Sequence, residues 1–158
     1  MMVKTGIGYD VHPLAEGEAL LIGGVKIDSS VGSVGHSDGD VLLHAIVDAL
    51  LGAANLGDIG QHFPSSDKRW KGKESIHFLE HTINLVRENG FEIDHIDSTI
   101  ILEEPKLVDI LPEMVYKISY SLQIDEASVS IKATTTDKMG FIGRGEGVGA
   151  VAVVTISK

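Results

Sequence analysis

The segment from residue 38 to residue 54 constrains the fold most, because its apolar residues recur at helical spacing. Its predicted core stripe consists of Leu43, Ile46, Val47, Leu50 and Ala54. Residues at these spacings share one face of an α-helix, so we expect a helix that packs this face against a core. Ser37 and Asp40 resemble a capping box, which predicts that the helix begins at Asp38.

Strand patterns precede this helix. Residues 3–12 alternate and predict a strand that ends at Pro13. Residues two apart on a strand point the same way, so we expect Asp10 and His12 side by side, opposite the face of Ile7 and Tyr9. Two apolar runs about a Gly-Gly pair predict a β-hairpin over residues 20–27, followed by a loop to residue 35.

The rest of the chain predicts helices and strands in mixed order. We expect an exposed, mobile flap at residues 65–73, helices at 73–89 and 107–122, and strands at 93–102, 129–133 and 148–156. Pro112 is expected to open the main part of the second of these helices. This order predicts an α+β fold, with a mixed β-sheet and helices layered on one face, in a single domain spanning residues 1–158.

The composition narrows the classes of function. A net charge of −10 excludes broad nucleic-acid binding, which requires an excess of Lys and Arg. An anionic substrate is compatible if a metal or backbone amides supply positive charge. The absence of cysteine excludes disulfides and thiolate metal sites. No apolar run has membrane-spanning length and the N-terminus lacks a signal sequence, so we expect a cytoplasmic protein without a membrane partner.

Three of the seven histidines lie in the first 44 residues, each near a carboxylate. Asp10, His12 and His44 are candidate ligands of a catalytic zinc, because such sites use three protein ligands and leave a fourth position open. Asp40 and Asp48 share a helical stripe with His44, so either is a candidate acceptor for its second imidazole N–H. The alternative is that the histidines bind no metal, since Asp-x-His is a short and common pattern.

Two other segments suit anionic ligands. His36 and Ser37 precede the predicted helix, where free backbone N–H groups favour anions; alternatively, Ser37 only caps the helix and His36 is a loop residue. The Thr134–Thr136 run offers hydroxyl and amide donors to phosphates, although threonine runs also simply end strands. The glycine-rich residues 140–149 match neither a Walker loop nor a dinucleotide fingerprint. The residues alone therefore predict a metal-dependent enzyme that acts on a small phosphorylated molecule.

A series of short motifs extends this prediction. They are Asp10-Val11-His12, His36-Ser37-Asp38-Gly39-Asp40 with His44, Leu56-Gly57-Asp58-Ile59-Gly60, Phe63-Pro64, Pro105-Lys106, and Lys132-Ala133-Thr134-Thr135-Thr136 through Gly143-Arg144-Gly145-Glu146-Gly147. In order and spacing, from residue 6 to residue 150, they resemble the motifs of the 2-C-methyl-D-erythritol 2,4-cyclodiphosphate synthase family.

The resemblance implies a lyase of the non-mevalonate isoprenoid pathway. Its substrate is 4-diphosphocytidyl-2-C-methyl-D-erythritol 2-phosphate, whose 2-phosphate attacks the β-phosphorus of the diphosphate. The ring closes to a cyclic diphosphate and CMP leaves. The resemblance also implies a homotrimer whose active sites lie between subunits.

The resemblance assigns roles to individual residues. The three candidate ligands bind one Zn²⁺ per chain, and Asp137 is the candidate ligand of a second divalent ion, Mg²⁺ or Mn²⁺. His36 and Thr135 are the candidate catalytic residues, which hold the attacking phosphate or the transition state from opposite sides. The candidate substrate-binding residues are Ser37, Asp58, Ile59, Gly60, Phe63, Pro64, Ser65, Ser66, Asp67, Leu102, Pro105, Lys106, Leu107, Thr134, Thr136, Phe141 and Arg144.

Three departures from the family pattern affect the nucleotide side of the site. Asp137 stands where Glu is common, Leu102 stands where a small residue is usual, and Glu103–Glu104 is more acidic than the usual pair. They bear on how tightly the second ion binds and on the fit of the cytosine, and leave the implied reaction unchanged.

Rival functions remain at this level. One is a zinc phosphohydrolase that uses water in place of the 2-phosphate, and another is a non-catalytic binding module with a structural zinc. The resemblance also implies a cavity on the three-fold axis that can hold an isoprenoid diphosphate. Arg144 and Glu146 are the candidates to line its phosphate end, unless they merely bridge subunits.

Overall fold

Seven strands and five helices follow one another along the computed structural model, which describes all 158 residues. The strands are β1 (Val3–Glu16), β2 (Leu20–Ile22), β3 (Val25–Ile27), β4 (Val31–Ser33), β5 (Glu92–Ile101), β6 (Val129–Thr134) and β7 (Gly147–Ser157). The helices are α1 (Val41–Ala54), α2 (Ile59–His62), α3 (Ser75–Glu88), α4 (Leu111–Leu122) and α5 (Gly140–Gly143), with a 3₁₀ turn at Glu126–Ser128. None of these helices is both long enough and apolar enough to cross a membrane.

Five strands form one mixed sheet in the order β4-β1-β7-β5-β6. β7 pairs antiparallel with both β1 and β5, whereas β6 pairs parallel with β5. A parallel pair needs a crossover connection, which α4 and the 3₁₀ turn provide. β2 and β3 form the separate hairpin that the sequence predicts. The predicted mixed sheet with packed helices is therefore confirmed.

Helix α1 lies directly against β1 because two glycines leave no side chain between them. A Cβ at Gly6 would lie 2.0 Å from the carbonyl oxygen of Ala49, and one at Gly8 would lie 1.8 Å from that of Ala45. Nearly every residue of α1 is buried, and α3 packs on α1 while α4 packs on α3 and β6. Strand alternation then directs the side chains of residues 10 and 12 toward the same helix.

The opposite face of the sheet carries only the four-residue helix α5, whose Ile142 lies against Gly149 at one end of the face. Ile7 and Tyr9 expose 70% and 61% of their surface, and Val153 of β7 lies opposite Ile7. The sequence correctly separates Ile7 and Tyr9 from Asp10 and His12, yet the apolar pair lies on this exposed face. The glycine face is the buried one, because only glycine allows α1 to approach so closely.

Two predicted boundaries near the N-terminus are wrong. β1 continues through Pro13 to Glu16, because Pro13 pairs with Gly147 and its carbonyl oxygen accepts the N–H of Val34. Proline cannot donate to a sheet, but its carbonyl still can accept. The predicted loop before residue 35 contains β4, which pairs with the extension of β1.

The start of α1 also differs from the prediction. Asp40, not Ser37, is the N-cap: its Oδ1 accepts the N–H of Leu43 at 3.0 Å, and the helix begins at Val41. The predicted flap at residues 65–73 folds as consecutive turns. Its Trp70 ring packs edge-on against Phe63, with ring centroids 4.8 Å apart. The later helices and strands begin and end within four residues of their predicted bounds.

Candidate metal centre and active site

The candidate metal ligands meet between β1 and α1. Asp10 Oδ2 lies 2.8 Å from His12 Nε2 and 3.1 Å from His44 Nδ1, and these two nitrogens are 3.1 Å apart. A tetrahedral ion with bonds of about 2.1 Å spaces its ligand atoms about 3.4 Å apart. The three atoms therefore approach the spacing that a divalent metal requires, and the triad predicted from the sequence comes together.

The same contacts set the charge of the cluster. Burial opposes ionisation of Asp10, but the contacts with the His12 and His44 imidazoles outweigh it and lower the pKa of Asp10 to about 2. The hydrogen bond to Asp10 raises the pKa of His12 above its usual value, with burial acting against it. The carboxylate is therefore ionised at neutral pH and could provide one negative ligand beside two imidazoles.

Two serines hold the other nitrogen of His44. Its Nε2 lies 2.8 Å from Ser75 Oγ and 3.2 Å from Ser37 Oγ. The prediction that Asp40 or Asp48 accepts the N–H of this nitrogen is therefore wrong. Ser75 is the first residue of α3 and lies 31 positions from His44, so no local pattern in the sequence marks this contact.

The two aspartates have other partners. Asp40 is fully buried, and its carboxylate accepts the N–H groups of Gly23 and Gly24 in the β2–β3 turn at 2.9 and 2.7 Å. As the N-cap, its side chain folds back over the helix end and away from His44. Asp48 Oδ1 accepts the N–H of Ile59 at 2.7 Å and so fixes the start of α2.

His12 and His44 line a cleft of about 690 Å³. The structure brings eight more of the predicted site residues to this cleft, namely His36, Ser37, Ile59, Gly60, Phe63, Pro64, Ser65 and Ser66. Asp58 and Asp67 do not line it. Asp58 caps α2 by accepting the N–H of Gln61 at 2.9 Å, and Asp67 pairs with Arg69 at 2.7 Å.

Four residues of this cleft were not predicted from the sequence as site residues. They are Lys68, Trp70, Lys71 and Phe78. The ring of Phe63 stacks on Phe78 with centroids 4.7 Å apart, so the aromatic residues form one wall. Both lysines belong to the charged flap segment, and their cationic side chains are the signal that sequence reasoning passed over. In a chain of net charge −10, they bring positive charge to the cleft.

Six of the remaining candidates gather at a second, smaller cleft of about 280 Å³. Its predicted members are Leu102, Pro105, Lys106, Leu107, Thr134 and Thr135. No residue lines both clefts. Within one chain, the candidate site residues are thus divided into two halves, one at the metal triad and one at the end of β5 and β6.

Glu103 holds the loop that follows β6. Its Oε1 accepts the backbone N–H of Thr136 at 2.7 Å and lies 3.0 Å from the Thr136 hydroxyl. The N–H of Thr136 is the main cause that lowers the pKa of Glu103. This acidic departure from the family pattern therefore has a structural role. Asp137 follows with a φ of 52° and is exposed, and neither Thr136 nor Asp137 lines either of these two clefts.

The last two candidates lie at α5. The Phe141 ring covers Gly147, where a Cβ would come within 2.9 Å of it. Arg144 follows the helix, and its Nε donates to Glu146 Oε1 at 2.9 Å. Both Phe141 and Arg144 are exposed in the single chain.

Known proteins resemble this chain in fold and in sequence. A model of the YgbB family matches residues 3–157. The 2-C-methyl-D-erythritol 2,4-cyclodiphosphate synthase of Syntrophobacter fumaroxidans is 51% identical over 154 residues, which cover 98% of this chain and 97% of the relative. The solved structure of the bifunctional IspDF from Campylobacter jejuni has a TM-score of 0.94 at 44% identity, covering 98% of this chain and 42% of that one. A CDP-bound structure of a 2C-methyl-D-erythritol-2,4-cyclodiphosphate synthase has a TM-score of 0.91 at 35% identity, covering 98% and 100%. The chain belongs to the YgbB family, the family of the 2-C-methyl-D-erythritol 2,4-cyclodiphosphate synthases.

Proposed function

We propose that the protein converts 4-diphosphocytidyl-2-C-methyl-D-erythritol 2-phosphate into 2-C-methyl-D-erythritol 2,4-cyclodiphosphate and CMP. It would act as a phosphorus–oxygen lyase of the non-mevalonate isoprenoid pathway. The observation that carries the proposal is the triad of Asp10, His12 and His44, two of whose members line the larger cleft. The synthase names of the relatives and the CDP bound to one similar structure support the choice of substrate.

The donor set of the triad fits Zn²⁺ with a fourth position left open. When bound, such an ion polarises a phosphoryl oxygen and neutralises its charge. The residues of the chain do the positioning: His36 and Ser37 hold the 2-phosphate at the cleft, and the cations of Lys68 and Lys71 lie on its wall. Because the attacking phosphate is already an anion, the chain needs no general base for this step.

We further propose that each active site forms between two subunits of a homotrimer. Two observations support this: most of the candidate residues lie at two clefts without a shared residue, and the sheet face around Ile7 and Tyr9 exposes apolar side chains. Exposed apolar patches of this kind commonly mark subunit interfaces. The metal half of the site would then come from one subunit. The half with Lys106, Thr134 and Thr135 would come from its neighbour and bind the cytidine diphosphate.

Two ligands complete the proposal. Asp137, exposed after the threonine run, would hold a second divalent ion, Mg²⁺ or Mn²⁺, between the diphosphate oxygens. Arg144 and Glu146, paired on the surface near the start of β7, would line the end of a central cavity that holds an isoprenoid diphosphate. Calorimetric titration with farnesyl diphosphate tests the second ligand. A titration that shows no heat and no stabilisation of the protein would argue against it.

Product analysis tests the reaction itself. We expect phosphorus NMR to show a cyclic diphosphate and CMP after incubation with the substrate. An open-chain phosphate would instead support a phosphohydrolase. The His44→Ala variant should lose both metal and activity and remain a folded trimer, because His44 supplies a ligand without filling the core. Unfolding or dissociation of this variant would favour a structural metal.

Mixing two inactive variants tests the division of the site between subunits. His44→Ala damages only the metal half, and Thr135→Ala damages only the other half. In trimers assembled from equal amounts of both, about a quarter of the intersubunit sites combine two intact halves. We expect activity to recover to about that level. Mass spectrometry shows whether the trimers are mixed. If mixed trimers recover no activity, both halves of each site come from one chain.

A further inference from the structure

Ser75 is a fully buried polar residue placed between a carboxylate and a metal-ligand histidine. Its Oγ lies 2.8 Å from His44 Nε2. Its backbone N–H donates to Asp38 Oδ2 at 2.8 Å, and its hydroxyl also contacts Asp38 Oδ1. Asp38, Ser75 and His44 thus form a continuous hydrogen-bonded chain that ends at the metal triad.

The contacts determine where each proton lies. Both oxygens of Asp38 face donors, because Oδ1 also accepts the N–H of Asp40 at 3.1 Å. Both Asp38 oxygens therefore act as acceptors, and a serine hydroxyl has a single proton to donate. That proton must therefore lie between Ser75 Oγ and Asp38 Oδ1, since two oxygens in contact without one would repel. Toward His44, Ser75 can present only a lone pair.

The position of the proton on the His44 imidazole follows from this arrangement. A lone pair on Ser75 Oγ requires a proton on the facing Nε2, so only Nδ1 is left to offer a lone pair to a metal. Nδ1 is the nitrogen that lies 3.1 Å from both Asp10 Oδ2 and His12 Nε2. Ser37 Oγ also faces Nε2, but at the longer distance of 3.2 Å.

We propose that Ser75, oriented by Asp38, is a positioning residue that keeps the proton of His44 on Nε2 and so directs its Nδ1 lone pair at the metal. The inference rests on the metal site of the proposed function and adds two residues to it. Ser75 lies two residues after the flap segment that carries Lys68 and Lys71. The same hydrogen bonds therefore also tie the end of the flap to the metal ligand.

The test combines nitrogen NMR of ¹⁵N-histidine-labelled protein with zinc affinity measured by competition with a chelator. In the wild-type protein we expect Nε2 of His44 to carry a proton, both metal-free and zinc-loaded. In Ser75→Ala we expect this proton to exchange faster with water and the zinc affinity to fall by about 10- to 100-fold, as for other partners of metal ligands. Ser119→Ala is the matched control, because Ser119 is also buried but donates to the carbonyl oxygen of Tyr116 in α4. It should leave both quantities unchanged.

Each outcome decides the proposal. An unprotonated Nε2 in the metal-free wild-type protein would overturn it, and so would a Ser75→Ala variant with unchanged zinc affinity and an equally protected proton. If the wild-type protein binds no zinc, the proposed metal function fails, while the metal-free spectrum still decides where the proton lies. If Ser75→Ala does not fold, the wild-type spectra alone give the answer.

Discussion

Substituting Gly8 by alanine perturbs the contact that sets the geometry of the metal centre. The added Cβ would lie 1.8 Å from the carbonyl oxygen of Ala45, whereas real Cβ atoms keep at least 3.0 Å. The strand and helix must therefore separate by at least 1.2 Å at this point. The atom that is met belongs to the backbone of α1, so no side-chain rotation relieves the clash.

Two losses should follow from this separation. Overpacking of a well-packed core costs about 1–3 kcal/mol, and a backbone clash places Gly8→Ala at or above the upper end of that range. The proposed metal ligands lie on both sides of the contact, since Asp10 and His12 follow Gly8 on β1 and His44 precedes Ala45 on α1. Metal sites tolerate errors of about 0.2 Å in ligand distance, so zinc affinity should fall by at least about tenfold.

Urea denaturation and zinc titration measure the two effects, and two glycines provide controls. Gly52 lies in α1 with nothing within 4 Å of a new Cβ, so Gly52→Ala should stabilise the protein by about 0.5–1 kcal/mol. Gly6→Ala meets Ala49 at 2.0 Å and should destabilise like Gly8→Ala, with a smaller loss of zinc because it lies farther from Asp10. Wild-type stability and zinc affinity in Gly8→Ala would refute the reasoning.

Two further predictions concern the helix start and the cleft. Asp40→Ala leaves three N–H groups without their acceptor, of which those of Gly23 and Leu43 are buried and that of Gly24 is partly buried. At about 1–3 kcal/mol for each buried group, urea denaturation should show a loss of at least about 2 kcal/mol. Burial raises the pKa of Asp40 from 3.8 to about 6, so the folded protein keeps a proton that the unfolded chain releases. The contribution of Asp40 to the free energy of unfolding should therefore fall as pH rises from about 4 to 6. If that free energy changes with pH equally in the wild type and in Asp40→Asn, this prediction is contradicted. Lys71→Ala should raise KM for the phosphorylated substrate, whereas Lys73→Ala, outside the cleft, should not; equal effects would show that Lys71 acts only through net charge.

Local periodicity was enough to predict that Asp10, His12 and His44 are candidate ligands of one site, and their side chains do meet. The alternation of β1 requires Asp10 and His12 to share a face, and helical spacing places His44 on a segment that must pack against a sheet. These are relations within one element, or between one element and the core. They depend on backbone geometry that every strand and helix shares.

Contacts between distant segments could not be predicted in this way. Ser75 meets His44 across 31 residues, and Asp40 meets the β2–β3 turn across 16 and 17. In each case, the short-range pattern offered a nearer partner of suitable chemistry. The tertiary packing decided instead, because buried N–H and imidazole groups bind whichever acceptor the fold brings within reach.

The two faces of β1 explain why its apolar side chains were not the guide to the core. Gly6 and Gly8 allow α1 to pack closely on one face of the strand, and Asp10 and His12 continue this face into the proposed metal site. Ile7 and Tyr9 lie on the other face, which we propose contacts other subunits. A shift of one residue would exchange the faces, placing isoleucine and tyrosine against the α1 backbone and the metal ligands outside. The register of this strand is therefore fixed from both sides. Close packing on the helix and burial in the proposed assembly both select the one alignment in which the three ligand atoms converge.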